Sequence, residues 1–322
     1  MVWTIYKYCL FFSFPAYRFF YFCQALFWFA FGELRNSAPA GRFITAFHSS
    51  RNSLLATKKL LFSDLRVYAI IFPAMSHIIC VVNQKGGVGK TTTAVNLSAA
   101  LAYSNCPTLL VDLDPQCNAT SALGKTPLEN HPLATGRPWN DSLVNSGIER
   151  LDLMPGARSL ADIQALNAED PVQTKRLRDV LAYGLSDYQY VLIDSPPSVG
   201  ALTKTALTAS DETLMPIQCE FFAMEGLTRM IELIRDVRNN EQRRLEFAGV
   251  VLTMVDYNLE LTREVENDVR DFFGEIVFRT VIPRDVSLAE ASSFGQNIFE
   301  YAPRSRAARA YRELCMEVMD RG

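Results

Sequence analysis

Residues 84–92 read Gln84-Lys85-Gly86-Gly87-Val88-Gly89-Lys90-Thr91-Thr92, or QKGGVGKTT. A phosphate-binding loop has the pattern G-x-x-x-x-G-K-[ST], and this stretch ends in the required Gly89, Lys90 and Thr91. The first position of the pattern falls on Gln84 instead of glycine, and a second lysine, Lys85, follows it. The stretch therefore predicts a phosphate loop of unusual form, in which Lys85 needs an explanation.

The segments on either side of this loop supply the context that the motif requires. Residues 77–83 form a nearly continuous apolar run, which is typical of a strand buried on both faces of a parallel sheet. After the glycines, Ala94, Leu97 and Leu101 recur at helical spacing. A strand, a glycine loop and a helix follow one another, which disfavours a glycine-rich turn without a ligand.

The loop residues fit the chemistry of nucleotide binding. Glycines let backbone amides turn toward an anion, and the following helix adds the partial positive charge of its N-terminus. Lys90 is expected to reach the β- and γ-phosphates, and Thr91 to place its hydroxyl on Mg²⁺. The predicted nucleotide-binding residues are Lys85, Gly86, Gly87, Val88, Gly89, Lys90, Thr91 and Thr92.

Further periodic segments predict the fold class. Apolar runs that suit strands occupy residues 108–113, 151–154, 190–193, 212–217, 247–254 and 276–282. Helical spacing relates Leu227, Met230, Ile231 and Ile234, and again Tyr311, Leu314, Cys315 and Val318. This alternation predicts an α/β fold, doubly wound, with a mostly parallel sheet flanked by helices. Residues 124–147, rich in Pro, Asn, Gly and Ser, are predicted to be an irregular surface excursion.

Carboxylates follow two of the predicted strands. Asp112 and Asp114 come at the end of one strand, and side-chain alternation predicts that they point to the same side. Asp194 ends another apolar strand. Because ligands bind at the carboxyl ends of parallel strands, Asp194 is the candidate that holds Mg²⁺, directly or through water.

Composition divides the chain at Met75. Residues 1–31 carry 15 of the 36 aromatic side chains. A membrane segment in residues 9–32 and a secretory signal are possible readings, but Pro15 and Arg18 interrupt the run and no clear cleavage signal follows. We favour a third reading, in which residues 1–74 are an extension outside the folded enzyme, arising from an upstream start, and residues 75–322 form the phosphate-loop domain.

Charge and cysteines limit the possible surroundings of this domain. Residues 75–322 hold 24 basic and 33 acidic side chains, so any binding of nucleic acid needs a local basic patch. The seven cysteines form no C-x-x-C pair and no zinc spacing. We therefore expect a reducing, cytoplasmic setting and buried structural cysteines.

Seven segments in constant order resemble the ParA/Soj partition ATPases, the deviant Walker A class of the MinD/ParA superfamily of P-loop NTPases. They are QKGGVGKTTTAVNLSAALA, LLVDLDPQCNATSALG, YVLIDSPPSVGALTKTAL, PIQCEFFAMEGL, GVVLTMVD, TVIPRDVSLAEA and YAPRSRAARAYREL. The resemblance covers residues 76–320. It implies ATP and Mg²⁺ as cofactors, with Asp194 at the Walker B position and Thr91 and Asp194 as the metal ligands.

The same resemblance implies two catalytic residues. Lys85 is the extra lysine of the deviant motif, which crosses the interface of an ATP-bound homodimer to touch the partner's nucleotide. A second cation beside the transferring phosphoryl group stabilises the charge that develops there. Asp114 matches the aspartate that orients or activates the attacking water. The resemblance thus answers the question that Lys85 raises.

The resemblance also implies a function. ATP-bound dimers of this family bind double-stranded DNA without sequence preference, on the nucleoid in the cytoplasm, and a ParB-type centromere-binding protein stimulates hydrolysis during chromosome or plasmid segregation. Two arginines of the family pattern are replaced here, by Asn258 and Ser287. The candidate DNA-binding residues that remain are Arg284, Arg304, Arg306 and Arg309.

Two alternatives keep the fold but change the function. One is a MinD-like positioning ATPase on the membrane, although Glu313, Glu317 and Asp320 make the C-terminal segment a poor lipid-facing helix. No membrane partner is expected unless residues 1–74 belong to the protein. The other is a nucleotide-gated binding module with negligible hydrolysis, which the presence of both Lys85 and Asp114 disfavours.

Overall fold

The computed structural model describes residues 76–164, 177–179, 181, 187–220, 223–240 and 245–321. Residues 1–75, and with them the aromatic-rich extension, lie outside the described residues. The division of the chain into residues 1–74 and 75–322 therefore stays a prediction.

Eight strands form one sheet in the order β3-β4-β2-β5-β1-β6-β7-β8. The strands are β1 (His77–Val81), β2 (Thr108–Asp112), β3 (Val144–Asn145), β4 (Leu151–Met154), β5 (Tyr190–Asp194), β6 (Glu212–Gln218), β7 (Glu246–Val255) and β8 (Val277–Pro283). Each neighbouring pair is parallel except β3 and β4, which are antiparallel. The predicted strands and the mostly parallel sheet are confirmed.

Helices cover both faces of this sheet. In chain order they are α1 (Lys90–Tyr103), α2 (Asn118–Ala122), α3 (Pro132–Thr135), α4 (Leu160–Gln164), α5 (Ala201–Ala209), α6 (Ala223–Asn240), α7 (Glu260–Phe273), α8 (Val286–Ser293), α9 (Ile298–Tyr301) and α10 (Arg306–Arg321). Short 3₁₀ turns lie at Asn140–Ser142 and Gly274–Ile276. The arrangement is doubly wound, as predicted.

The two cores explain why β1 is apolar at almost every position. Ile79 and Val81 pack in one core with α1 and α10, whereas Cys80 and Val82 pack in the other core with α5 and α6. Side chains alternate across a strand, so a strand covered on both faces needs apolar residues throughout. Burying each large aliphatic side chain contributes roughly 1.5–3 kcal/mol to folding.

The segment of residues 124–147 is more ordered and more buried than the sequence predicts. It contains α3, a 3₁₀ turn and the edge strand β3, and it buries His131, Leu133 and Trp139. The His131 and Trp139 rings meet edge to face at 5.3 Å. The prediction of a surface excursion is wrong for these residues, because isolated apolar side chains between turn residues leave no periodic signal.

The centre of the sheet places the phosphate-loop segment. β1 lies between β5 and β6, and the chain leaves its carboxyl end through residues 82–89 into α1. β2 and β6 lie on opposite sides of β1, so the strand order reverses beside it. Open α/β sheets bind ligands in the crevice at such a switch point.

Candidate active site

The glycine loop has the backbone geometry of an anion cradle. Gly87 and Gly89 have φ of +75° and +85°, in the left-handed region that favours glycine. Gly89 precedes α1, and no side chain caps the first amides of that helix. Amides without an internal partner and the helix dipole together attract an anion.

Contacts from distant strands hold this loop in place. The Asn83 side-chain amide donates to the Pro216 carbonyl at 2.8 Å, and the Thr253 hydroxyl donates to the Val88 carbonyl at 2.9 Å. The Lys90 ammonium donates to the Lys85 carbonyl at 3.2 Å. These contacts fix the conformation of the loop.

Lys90 is a buried cation with carboxylates nearby. Only 7% of the residue is exposed. Burial lowers the pKa of Lys90, and the charges of Asp194 and Asp114 oppose that shift. The ammonium is thus directed at the interior of the site, as the phosphate-binding lysine of such a loop must be.

Asp194 is a buried carboxylate without a hydrogen-bond partner among the described residues. Burial raises its pKa well above the usual range, the charges of Asp112 and Asp114 add to this, and Thr91 and Lys90 oppose it. A cation at this position would relieve the cost of the buried charge. The two free carboxylate oxygens beside the Thr91 hydroxyl fit Mg²⁺, which prefers oxygen ligands.

Within the described ranges, no group of three or more His, Cys, Asp or Glu side chains could hold a metal by itself. Mg²⁺ is bound by one or two carboxylates and completes its shell with water and phosphate oxygens, so Asp194 with the Thr91 hydroxyl is a sufficient set of protein ligands.

Asp112 and Asp114 differ in their surroundings. The Asp112 carboxylate is buried and accepts hydrogen bonds from the Thr120 amide at 2.8 Å, the Thr120 hydroxyl at 2.6 Å and the Asp114 amide at 3.2 Å. Asp114 accepts only the Gln116 amide, at 2.9 Å, among the described residues. Burial raises the pKa of Asp112 to about 6, and the hydrogen bonds from Thr120 oppose the shift. Both oxygens of Asp112 thus accept hydrogen bonds within the protein, whereas one oxygen of Asp114 can accept a hydrogen bond from a ligand or water.

Lys85 has a partner that the sequence alone does not suggest. Its ammonium lies 2.6 Å from the Glu220 carboxylate, and the two side chains are 37% and 46% exposed. The Lys85 amide donates to the Asn83 side chain at 3.0 Å. Glu220 follows β6, far from the loop in sequence, so only the fold brings the two residues together.

A cleft of about 680 Å³ extends from the phosphate loop. Gly89, Thr91 and Thr92 line one part of it, and the residues from Pro283 to Val286 line another. Met254 also lines the cleft and has a φ of +52°, which is strained for a side chain of this size. Strain of this kind has no sequence signal, and the prediction missed Met254.

The candidate DNA-binding arginines lie beside this cleft. Arg284, Arg306 and Arg309 line a second groove, of about 470 Å³, and Arg284 also lines the first cleft. Asp256 and Glu313 line the second groove as well. Arg304 is exposed in the turn before α10 and is not part of the lining. The structure therefore brings together three of the four arginines.

The two residues that replace family arginines make local contacts. The Asn258 side chain donates to the Asp256 carboxylate at 2.8 Å. The Ser287 amide and hydroxyl donate to Asp285 at 3.1 and 2.7 Å, at the start of α8. The second carboxylate oxygen of Asp285 accepts the Ala307 amide of α10 at 3.3 Å.

A parallel sheet with a glycine loop at its switch point, a buried lysine and a strand-end aspartate define a P-loop nucleoside triphosphatase. A family model described as "AAA domain" matches residues 76–247. The chain is 43% identical over 253 residues to the sporulation initiation inhibitor protein Soj of Bacillus subtilis, covering 77% of this chain and all of that protein. It is 42% identical to the chromosome partitioning protein ParA of Caulobacter vibrioides, covering 76% of this chain and 94% of that one. The chain therefore belongs to the ParA/Soj family and is an ATPase.

Solved structures agree with this fold. A cobyrinic acid a,c-diamide synthase of Mycobacterium smegmatis with bound ADP and magnesium has a TM-score of 0.66 at 32% identity, covering 75% of this chain and 93% of that one. The septum site-determining protein MinD of Pyrococcus horikoshii, complexed with Mg-ADP, has a TM-score of 0.62 at 24% identity, covering 76% and 96%. At 24% identity, the similarity to MinD supports the fold alone.

Proposed function

We propose that this ATPase separates copies of a chromosome or plasmid. In the ATP state it forms a homodimer that binds double-stranded DNA without sequence preference, and a ParB-type partner stimulates hydrolysis and release. The observation that carries the proposal is the convergence of Lys90, Thr91, Asp114 and Asp194 on one glycine loop. Relatives with over 40% identity along nearly their whole length are named as chromosome partitioning proteins.

The loop and the adjoining cleft would hold ATP. The amides at the start of α1 and the Lys90 ammonium would bind the phosphates, since both are preorganised for an anion. The nucleoside would extend along the cleft toward Pro283 and Val286. The Thr91 hydroxyl and the Asp194 carboxylate would hold Mg²⁺, which when bound neutralises charge on the phosphate oxygens.

Asp114 is the residue that we assign to the attacking water. Its carboxylate has capacity for a further hydrogen bond. Its charge opposes the lowering of the Lys90 pKa, so the carboxylate lies near that ammonium. By accepting a hydrogen bond from water, Asp114 would aim the oxygen lone pair at the γ-phosphorus. The water oxygen would bond to the γ-phosphorus as the bond from that phosphorus to the ADP oxygen breaks. A proton of the water would pass to Asp114 and on to solvent, so that ADP and phosphate leave.

Lys85 would act on the nucleotide of the partner subunit. In one chain its ammonium is paired with Glu220, so the pair must open before Lys85 can cross an interface. Both side chains are more than a third exposed, and exposed ion pairs contribute only about 0–1 kcal/mol. The pair is therefore weak enough to exchange for a phosphate contact.

The arginine groove supports the DNA-binding part of the proposal. Arg284, Arg306 and Arg309 form a local basic surface on a domain of acidic net charge. Arginine contacts with phosphates need no particular base sequence. Tyr257 lies in the same groove and is about half exposed, so it offers an aromatic face beside the arginines.

Partition is favoured over a MinD-like function on the membrane. Most apolar side chains of α10, among them Tyr311, Leu314 and Val318, are buried in the core with α1 and β8. Met316 and Met319 are its exposed large apolar side chains. With the rest of its apolar side chains in the core, the helix lacks the broad apolar face that an interfacial helix places in lipid. Among helices in the described ranges, none is both long and apolar enough to cross a bilayer. We propose that the protein works in the cytoplasm, on the nucleoid.

The test is DNA binding by the full chain with Mg²⁺ and ATP or ADP across a salt series, with dimerisation followed in the same samples. We expect binding only by the ATP dimer, with an affinity that falls steeply as salt rises. An ATP dimer that does not bind DNA would contradict the DNA-binding part. A monomer that binds DNA equally with both nucleotides would contradict the dimer switch.

A further inference from the structure

The buried carboxylate of Asp112 joins three segments of the chain. One oxygen accepts the Asp114 amide, and the other accepts both the amide and the hydroxyl of Thr120 in α2. The Thr120 hydroxyl in turn accepts the Gly156 amide at 2.8 Å, from the loop after β4. The segments that carry Asp114, Thr120 and Gly156 are thus tied to one carboxylate.

The junction is closely packed. A Cβ atom on Gly156 would lie 2.9 Å from the Asp112 carboxyl carbon and 3.1 Å from the Cys117 sulfur, so no larger residue fits without displacing the junction. Cys117, in the turn from Asp112 to Thr120, has a φ of +55°, a left-handed conformation that residues other than glycine rarely adopt. The close packing and the hydrogen bonds of the Asp112 side chain therefore stabilise this conformation of the turn from Asp112 to Thr120.

The junction also borders the ATP cleft. Asn118 and Ser121, on either side of Thr120 in α2, line the cleft that extends from the phosphate loop. The Asp112 carboxylate therefore fixes the position of a cleft wall and, through the same side chain, the backbone of Asp114.

We propose that Asp112 and Thr120 are positioning residues for hydrolysis, which hold Asp114 at the site of the attacking water. The inference rests on the proposed role of Asp114. Neither residue needs to touch the nucleotide, since the hydrogen bonds of Asp112 end within the protein. Their effect is geometric, and a displacement of about 1 Å in a water-orienting group can reduce a rate by on the order of a hundredfold.

The test compares two substitutions at one position in the full chain. Thr120→Val removes the hydroxyl and keeps the size of the side chain, whereas Thr120→Ser keeps the hydroxyl. We expect Thr120→Val to lower kcat by roughly tenfold to a hundredfold while KM for ATP stays within about threefold, because Asp114 moves and the phosphate loop does not. Thr120→Ser should restore most of the rate.

Thr205→Val is the matched control. Thr205 is a buried helical threonine of α5 whose hydroxyl has no hydrogen-bond partner among the described residues, so its loss should leave kcat unchanged. Equal kcat in Thr120→Val and wild type would overturn the inference, as would a Thr120→Ser variant as slow as Thr120→Val. Asp114→Ala in the same assay tests the proposed role of Asp114 separately from the positioning role of Asp112 and Thr120. Undiminished turnover in that variant would contradict the proposed role of Asp114 itself.

Discussion

Two lysines of one loop lie in opposite surroundings. Lys90 is buried, beside Asp114 and Asp194, whereas Lys85 is part of an exposed ion pair with Glu220. A buried cation near a phosphate site interacts strongly because little water screens it, and an exposed one can be released at small cost. The same substitution should therefore have different effects at the two positions.

Lys90→Ala should weaken nucleotide binding strongly. Loss of a hydrogen bond between charged groups in a dry site costs about 1.5–3 kcal/mol or more, so we expect ATP affinity to fall by about a hundredfold. Titration of the full chain with a fluorescent ATP analogue measures this. Wild-type affinity in a folded Lys90→Ala variant would contradict the assignment of the phosphate loop.

Lys85→Ala should retain ATP binding and lose turnover. A cation supplied in trans contributes on the order of 10³-fold or more to phosphoryl transfer. Glu220→Gln is the control, because it removes the ion pair and keeps the lysine, and it should change the free energy of unfolding by less than about 1 kcal/mol. Unchanged turnover in Lys85→Ala would leave this residue as a surface lysine.

The candidate site residues that the sequence supplies are those marked by a local pattern. Lys90 and Thr91 follow the glycines, and Asp194 ends an apolar strand, so motif and strand position suffice. Glu220, Thr120 and Met254 could not be singled out from the sequence, because the first two are marked by tertiary contacts and the third by backbone strain. The hydrogen bonds of Asp112 could not be predicted either, because side-chain alternation along a strand predicts which way a side chain points and not its hydrogen-bond partner.

At the scale of elements, one carboxylate ties α10 to β8. Glu317 accepts the amides of Arg279 at 2.8 Å and Thr280 at 3.1 Å, and pairs with Arg321 at 3.1 Å. Burial alone would raise the pKa of Glu317, but the hydrogen bonds from Arg279 and Thr280 and the charge of Arg321 outweigh it and lower the pKa. The ionised carboxylate therefore stabilises the folded state.

Acid should weaken this link. Because the pKa of Glu317 in the folded protein lies below its ordinary value of 4.5, its stabilisation is present above that value and is lost as pH falls through the folded pKa. We expect Glu317→Gln to lower the free energy of unfolding by about 1–3 kcal/mol at pH 7. Chemical denaturation at several pH values should find this difference shrinking below pH 4.5, and a constant difference would contradict the assignment.

The positions of the well-buried strands and helices could be predicted from the sequence, and those of the short elements within residues 124–147 could not. The continuous apolar runs of β1 and β2 and the helical spacing in α10 are patterns that packing imposes on the sequence. By contrast, β3 has two residues and α3 has four, too few for any periodicity. The apolar residues of the excursion are held by tertiary contacts that the sequence does not display.

At the scale of the molecule, a local basic groove lies on an acidic domain. Arg306→Ala and Arg309→Ala should each weaken DNA binding about equally for all sequences and reduce the slope of log affinity against log salt by about 0.9. Arg238→Ala, at an exposed arginine in the last turn of α6, is the matched control and should have no effect. An unchanged salt slope in both groove variants would place the DNA elsewhere.

Arg284 belongs to both the ATP cleft and the arginine groove, and the neighbouring Asp285 holds the first turns of α8 and α10 together. Under the proposed function, ATP and DNA would both contact this shared wall, and we expect their binding to be coupled. Thermodynamic linkage then requires that whatever factor ATP adds to the affinity for DNA, DNA must add to the affinity for ATP. A chain bound to DNA would then hold ATP more tightly than a chain free in solution. The ATP-bound protein would therefore be most concentrated where the DNA is.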